Sequence, residues 1–225
     1  MQTILFIMDC LGTTAFAVAG ALVGVRKRMD LFGVLVMAIV SSTGGGVIRD
    51  LMIGNLPPTS FLAPRFVTIA AVTGSAVFLF LYLHPHMPQR VADAYDHILF
   101  CFDTLGVAAF TVDGIVVGIN HGYRENLFLL VFLGVVTGVG GGVIRDLLAN
   151  RMPDILKKHI YAIASIVGGL VISAAFCVGI SDQISLIAGF VTIVILRVLA
   201  ARLRWNLPKI DSPGDSAHHI KNESQ

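Results

Sequence analysis

Ionised residues stand in this chain where an apolar sequence has least room for them. Arg49-Asp50 and Arg145-Asp146 each follow three consecutive glycines, Gly44, Gly45 and Gly46 in one place and Gly140, Gly141 and Gly142 in the other. Three more carboxylates, Asp9, Asp103 and Asp113, interrupt apolar runs elsewhere. Ionisable groups inside a membrane segment are costly to bury, and they mark either structural pairs or the route of an ion or small charged solute. Neighbours along a helix do not face each other, so each arginine is expected to find its partner on a different helix. At about 1.5 Å of rise per residue, Arg49 shares a level with Asp9, and Arg145 shares one with Asp103. The expected pairs are therefore Asp9 with Arg49 and Asp103 with Arg145, at opposite faces of the membrane. Asp113 falls in the same half as Arg49, free to join that cluster or to face a pore.

The glycines carry a second kind of chemistry. Each costs about 1 kcal/mol of helix propensity relative to alanine, so a run of three predicts a kinked or unwound helix. Broken backbone at membrane depth is tolerated where it is buried in protein or lines a water-filled cavity, and it frees carbonyls and a half-helix N-terminus to hold ions or solutes. With such carbonyls, the hydroxyls of Ser41, Ser42, Thr43 and Thr137 could replace water around a cation. The other reading of the same glycines is close helix packing. Their recurrence at corresponding places in two halves favours a pathway.

The elements that must position these residues are membrane helices. Of 225 residues, 56% are hydrophobic and 13% charged, with mean hydropathy +0.83, far from an ordinary soluble domain. A span needs about 20 apolar residues, and such segments are expected at 3–25, 31–52, 65–84, 97–119, 127–149, 159–180 and 183–203. Asp9 to Gly20 aligns with Asp103 to Gly114, and Gly44 to Leu51 recurs unchanged as Gly140 to Leu147. The expected organisation is a first three-helix repeat at 1–88, a second at 89–182, a seventh helix at 183–205 and a disordered cytoplasmic tail at 206–225. The predicted class is an all-α polytopic membrane protein, with helices 2 and 5 broken at the glycine triplets. An odd number of helices per repeat makes the repeats inverted. With the N-terminus outside, 13 of the 16 basic residues lie on or near the inner side, which favours an outside N-terminus and a cytoplasmic C-terminus.

Several classes have no support. The basic residues form short clusters between apolar segments, not a nucleic-acid-binding face. Cys10, Cys101 and Cys177 lie in apolar stretches without ligand spacing, so no structural metal site or disulfide framework is expected. There is no phosphate-binding loop, nucleophile elbow or zinc-protease helix, and no enzyme is expected.

The paired Gly-Gly-Gly-Val-Ile-Arg-Asp motifs, together with the paired Asp-x-Leu-Gly-x-x-x-Phe-x-Val-x-Gly segments, resemble the prokaryotic trimeric intracellular cation (TRIC) channels over residues 5–200. The resemblance implies a homotrimer in the prokaryotic inner membrane, each protomer with its own pore lined by helices 2 and 5. It implies potassium or sodium as permeant ions, no cofactor, and the lipid bilayer as partner, with bound lipid allowed. The Lys-Glu-Val motif of the animal members is missing from this sequence, so phosphoinositide regulation is not carried over. Bacterial relatives of the same domain are described as glycine transporters. That alternative would place a carboxylate at a half-helix N-terminus and an ammonium on Asp9 or Asp113.

Overall fold

The structure, a computed structural model, describes residues 2–84, 89–157, 160–203 and 205. The described residues form helices α1 (Gln2–Arg26), α2 (Leu31–Met52), α3 (Thr59–Leu62), α4 (Pro64–Leu83), α5 (Gln89–Asn120), α6 (Leu127–Leu148), α7 (Asp154–Lys157), α8 (Ile160–Cys177) and α9 (Asp182–Arg202). Six of them, α1, α2, α4, α5, α6 and α9, are long and apolar enough to cross a bilayer. The described part of α8 has 18 residues, about 27 Å of helix, and lies within the remaining segment expected to span, 159–180. The tail expected at 206–225 lies outside the described residues.

Local signals set the boundaries. Asp30 caps α2, its carboxylate accepting from the Gly33 amide at 2.8 Å, and Asn126 caps α6 in the same way through Leu129 at 3.1 Å, as such side chains do for the orphan amides of a first turn. α5 is already helical at Gln89, its first described residue and ahead of the expected 97, because the stretch from Gln89 to Asp96 is polar but made largely of residues a helix accepts. The apolar span within it begins at Ala94. Two short helices, α3 and α7, were not expected; each follows one of the Arg-Asp motifs.

The breaks expected at the glycine triplets do not form. α2 and α6 are uninterrupted helices of 22 residues each. Their triplets instead mark the place where the two helices cross. A Cβ on Gly45 would collide with the carbonyl oxygen of Thr137, and one on Gly141 would collide with that of Ser41. Backbone meets backbone there, and tertiary packing of this kind overrides the weak helix propensity of glycine.

That contact is one of a matched series. A Cβ on Gly20 would meet the Met37 carbonyl, and its counterpart Gly114 would meet the Leu133 carbonyl at 2.5 Å. A Cβ on Gly12 would sit 2.9 Å from the Phe110 ring, and its counterpart Gly106 would place one 2.5 Å from the Phe16 ring. Each of these glycine contacts in one half has its mate in the other, as an isologous two-fold interface requires. Phe16 and Phe110 close the centre, their rings 5.5 Å apart. Around this four-helix core, α4 packs on α1 and α2, and α8 packs on α6, while α9 covers α5 and α8.

Candidate functional site

The Arg-Asp motif occupies the last turn of α2 and again of α6, and all four of its side chains are buried. In both copies the arginine turns back to its own neighbour: Arg49 Nε donates to Asp50 Oδ1 at 2.9 Å, and Arg145 Nε to Asp146 Oδ1 at 3.0 Å. Adjacent residues were not expected to meet. The guanidinium reaches across because its three-methylene stem is long enough to span one helical step, and Nε is its nearest donor. The aspartate then accepts from the backbone of the next short helix, Asp50 from Thr59 N at 2.7 Å and Asp146 from Asp154 N at 3.0 Å. Each motif thus ties a span to the loop that follows it.

At the α6 end, Asp103 of α5 holds Arg145 at 2.8 Å, as its level on the helix predicts. Three side chains that sequence reasoning passed over complete the cluster. Arg197 of α9 donates from Nη2 to Asp103 at 2.7 Å and from Nε to Thr104 at 3.0 Å. Its guanidinium lies 4.1 Å above the Tyr161 ring, and Tyr161 OH donates to Asp103 at 3.1 Å. Arg151 binds Asp146 from the far side, with Nε at 2.9 Å. Arg197 is legible in principle as an arginine set inside an apolar helix. A cavity of about 330 Å³ adjoins this cluster, with Asp103, Arg145, Arg151 and Arg197 among its walls.

At the α2 end the expected partner is wrong. Arg49 pairs through Nη1 with Asp113 of α5, not with Asp9. Depth placed both carboxylates at Arg49's level, but depth says nothing about direction around the helix axis. The packing of α1 on α5 brings Asp113 alongside Asp9, and it is Asp113 that faces the guanidinium. Asp9 stays half-buried, set against Asp113 and within electrostatic reach of Arg49 and Arg65. Ten residues of α5 separate Asp103 from Asp113, about 15 Å along its axis, so the two arginine clusters lie well apart along the bundle.

The hydroxyls expected to meet a cation are turned to their own helices. Ser42 donates to Ala38 O at 2.9 Å, Thr43 to Ile39 O at 2.8 Å and Thr137 to Leu133 O at 2.6 Å. Ser41 Oγ is buried with no hydrogen-bond partner among the described residues. Because α2 and α6 are continuous, the carbonyls along the triplets remain in the helical ladder.

This is an all-helical polytopic membrane protein of two pseudo-symmetric halves, with an ionised cluster buried towards each end of the antiparallel pair α2 and α6. The family profile described as "Glycine transporter" matches the chain twice, over residues 6–82 and 100–176. The chain belongs to that family. A curated relative, the UPF0126 inner membrane protein YadS of Escherichia coli strain K12, is 34% identical over 204 residues, covering 89% of this chain and 93% of that protein. Among solved structures, a TRIC cation channel shares 34% identity over 92% of this chain and 97% of its own, with TM-score 0.78. The TRIC trimeric intracellular cation channel orthologue from Rhodobacter sphaeroides shares 30% identity over 90% of this chain and 100% of its own, with TM-score 0.80.

Proposed function

We propose that the chain is a monovalent cation channel of the inner membrane, conducting potassium and sodium through a path inside each protomer of a homotrimer. The observation that carries this reading is the matched crossing of α2 and α6 at Gly45 and Gly141, with a buried arginine cluster towards each end, in a fold shared with TRIC cation channels at 30–34% identity. With α2 and α6 in backbone contact, the path between the repeats is shut at the level of the triplets. Conduction requires the two helices to part or bend there, and three glycines in a row lower the cost of bending. The unpartnered Ser41 hydroxyl, with those of Ser42, Thr43 and Thr137 released from their helix carbonyls, then turns its oxygen to the ion in place of hydration water, and the Arg-Asp clusters constrict the two mouths. The excess of lysine and arginine on one side supports an N-terminus outside and a C-terminus in the cytoplasm.

The family description supplies a competing reading, glycine transport, and one preparation separates the two. Proteoliposomes loaded for potassium flux and for labelled glycine uptake are measured side by side, with single-channel recording in planar bilayers. Ohmic potassium current without saturable glycine uptake is the expected result. Saturable glycine uptake without current would overturn the channel reading.

A further inference from the structure

The two ends of the molecule share the Arg-Asp motif but differ in the carboxylate that holds its arginine. Arg145 is held inside its own repeat by Asp103. The position equivalent to Asp103 in the first repeat is Asp9, yet Arg49 reaches across to Asp113 of the second repeat. Asp113 in turn has no acidic counterpart, because its equivalent is Ala19, fully buried and apolar. Arg49–Asp113 is therefore a buried ion pair that fastens one repeat to the other at one end of the bundle, with nothing equivalent at Ala19.

We propose that Arg49 is a two-position latch: Asp113 holds it while the repeats are closed on each other, and Asp9 receives it when they part. Both stations are in place. Asp9 lies against Asp113 and within electrostatic reach of Arg49, beside the carboxylate that now holds it. The stem of the arginine is anchored meanwhile, because Asp50 binds its Nε and is itself fixed by the Thr59 amide. The second position is the one that symmetry requires, since it reproduces in the first repeat the intra-repeat pair Asp103–Arg145. The swing also keeps the guanidinium paired throughout, which avoids the large penalty of an uncompensated buried charge. The link between this latch and ion flow rests on the channel reading above; the latch itself does not.

The test reads opening without reading current. Cys10, Cys101 and Cys177 are replaced by alanine, and Ser41→Cys places a thiol at the closed crossing of α2 and α6. Its modification by a small charged methanethiosulfonate reagent is timed in proteoliposomes. Asp113→Asn is expected to raise the rate roughly tenfold or more, the scale set by loss of one close charge pair. Asp9→Asn is expected to lower it, because Arg49 loses its open station, and Arg49→Asp with Asp113→Arg is expected to return it towards the parent rate. An unchanged rate in Asp113→Asn, or a rise in Asp9→Asn, overturns the latch. Should Asp113→Asn fail to fold, Asp9→Asn alone decides, by the sign of its effect. Bilayer recordings of the same proteins keep the two readings apart. Thiol rates that follow the latch with no current in the parent protein sink the channel reading and spare the latch, whereas current with unresponsive thiol rates does the reverse.

Discussion

Gly141 rests its α-carbon against the backbone carbonyl of Ser41, with no space for even a methyl group between them. Its counterpart Gly45 does the same to Thr137, so the centre of the molecule is a backbone-to-backbone crossing made twice by one symmetry. Without a hydrophobic driving force between helices in lipid, close packing of small residues is what holds such a crossing, and Cα–H···O contacts add to it. The same closeness makes the crossing the natural place for the path between the repeats to be shut.

The glycines within one triplet should behave differently. Gly45→Ala and Gly141→Ala each drive a methyl group into a carbonyl of the facing helix, and overpacking of this kind costs about 1–3 kcal/mol. Gly46→Ala meets nothing closer than Arg49 Nη2 at 3.7 Å and gains helix propensity of about 1 kcal/mol. Thermal unfolding in detergent is the measurement. Equal losses of melting temperature at Gly45 and Gly46 would show that the triplet acts as a hinge alone and not as a contact.

Asp103 of α5 gathers side chains from three other helices. It accepts from Arg145, Arg197 and Tyr161, so Asp103→Asn leaves Arg145 with Asp146 alone and Arg197 with no carboxylate, at a cost of about 3–5 kcal/mol. Asp103→Asn with Arg197→Met removes one of them and should recover part of the loss. A double variant no more stable than Asp103→Asn would mean that Arg197 draws its support from Thr104 and the Tyr161 ring.

The α1–α5 crossing offers a steric rescue. In Gly106→Ala the new methyl group would lie 2.5 Å from the Phe16 ring, a collision in a fully buried site. Phe16→Leu opens room on the same spot. The pair should be more stable than the sum of the two single variants predicts, since residues in contact couple by about 0.5–3 kcal/mol. A double-mutant cycle on unfolding midpoints reads this directly, and additivity would contradict the contact.

Ala19 tests the broken symmetry from the other side. Ala19→Asp puts a carboxylate where the two-fold places it beside Arg145, as Asp113 stands beside Arg49, and the protein should still fold. Ala17→Asp buries the same group two residues away at an equally enclosed position, where symmetry offers no arginine, and an unpaired buried charge there should prevent folding. Expression and size-exclusion profiles of the two variants distinguish them; equal failure would show that Ala19 does not face Arg145.

Much of this was readable from order and spacing alone. The duplicated motifs, the helical class and the level of Arg145 beside Asp103 follow from apolar length, repetition and a fixed rise per residue, which are properties of one helix at a time. What a single helix cannot encode is direction around its axis and distance to a neighbour. Thus Asp113 rather than Asp9 takes Arg49, Arg197 and Tyr161 join Asp103 from α9 and α8, and the glycine triplets become a contact and not a break. These outcomes were decided only when the helices packed together, because only the facing surface determines which side chain is nearest and whether a glycine's missing Cβ is spent on bending or on touching.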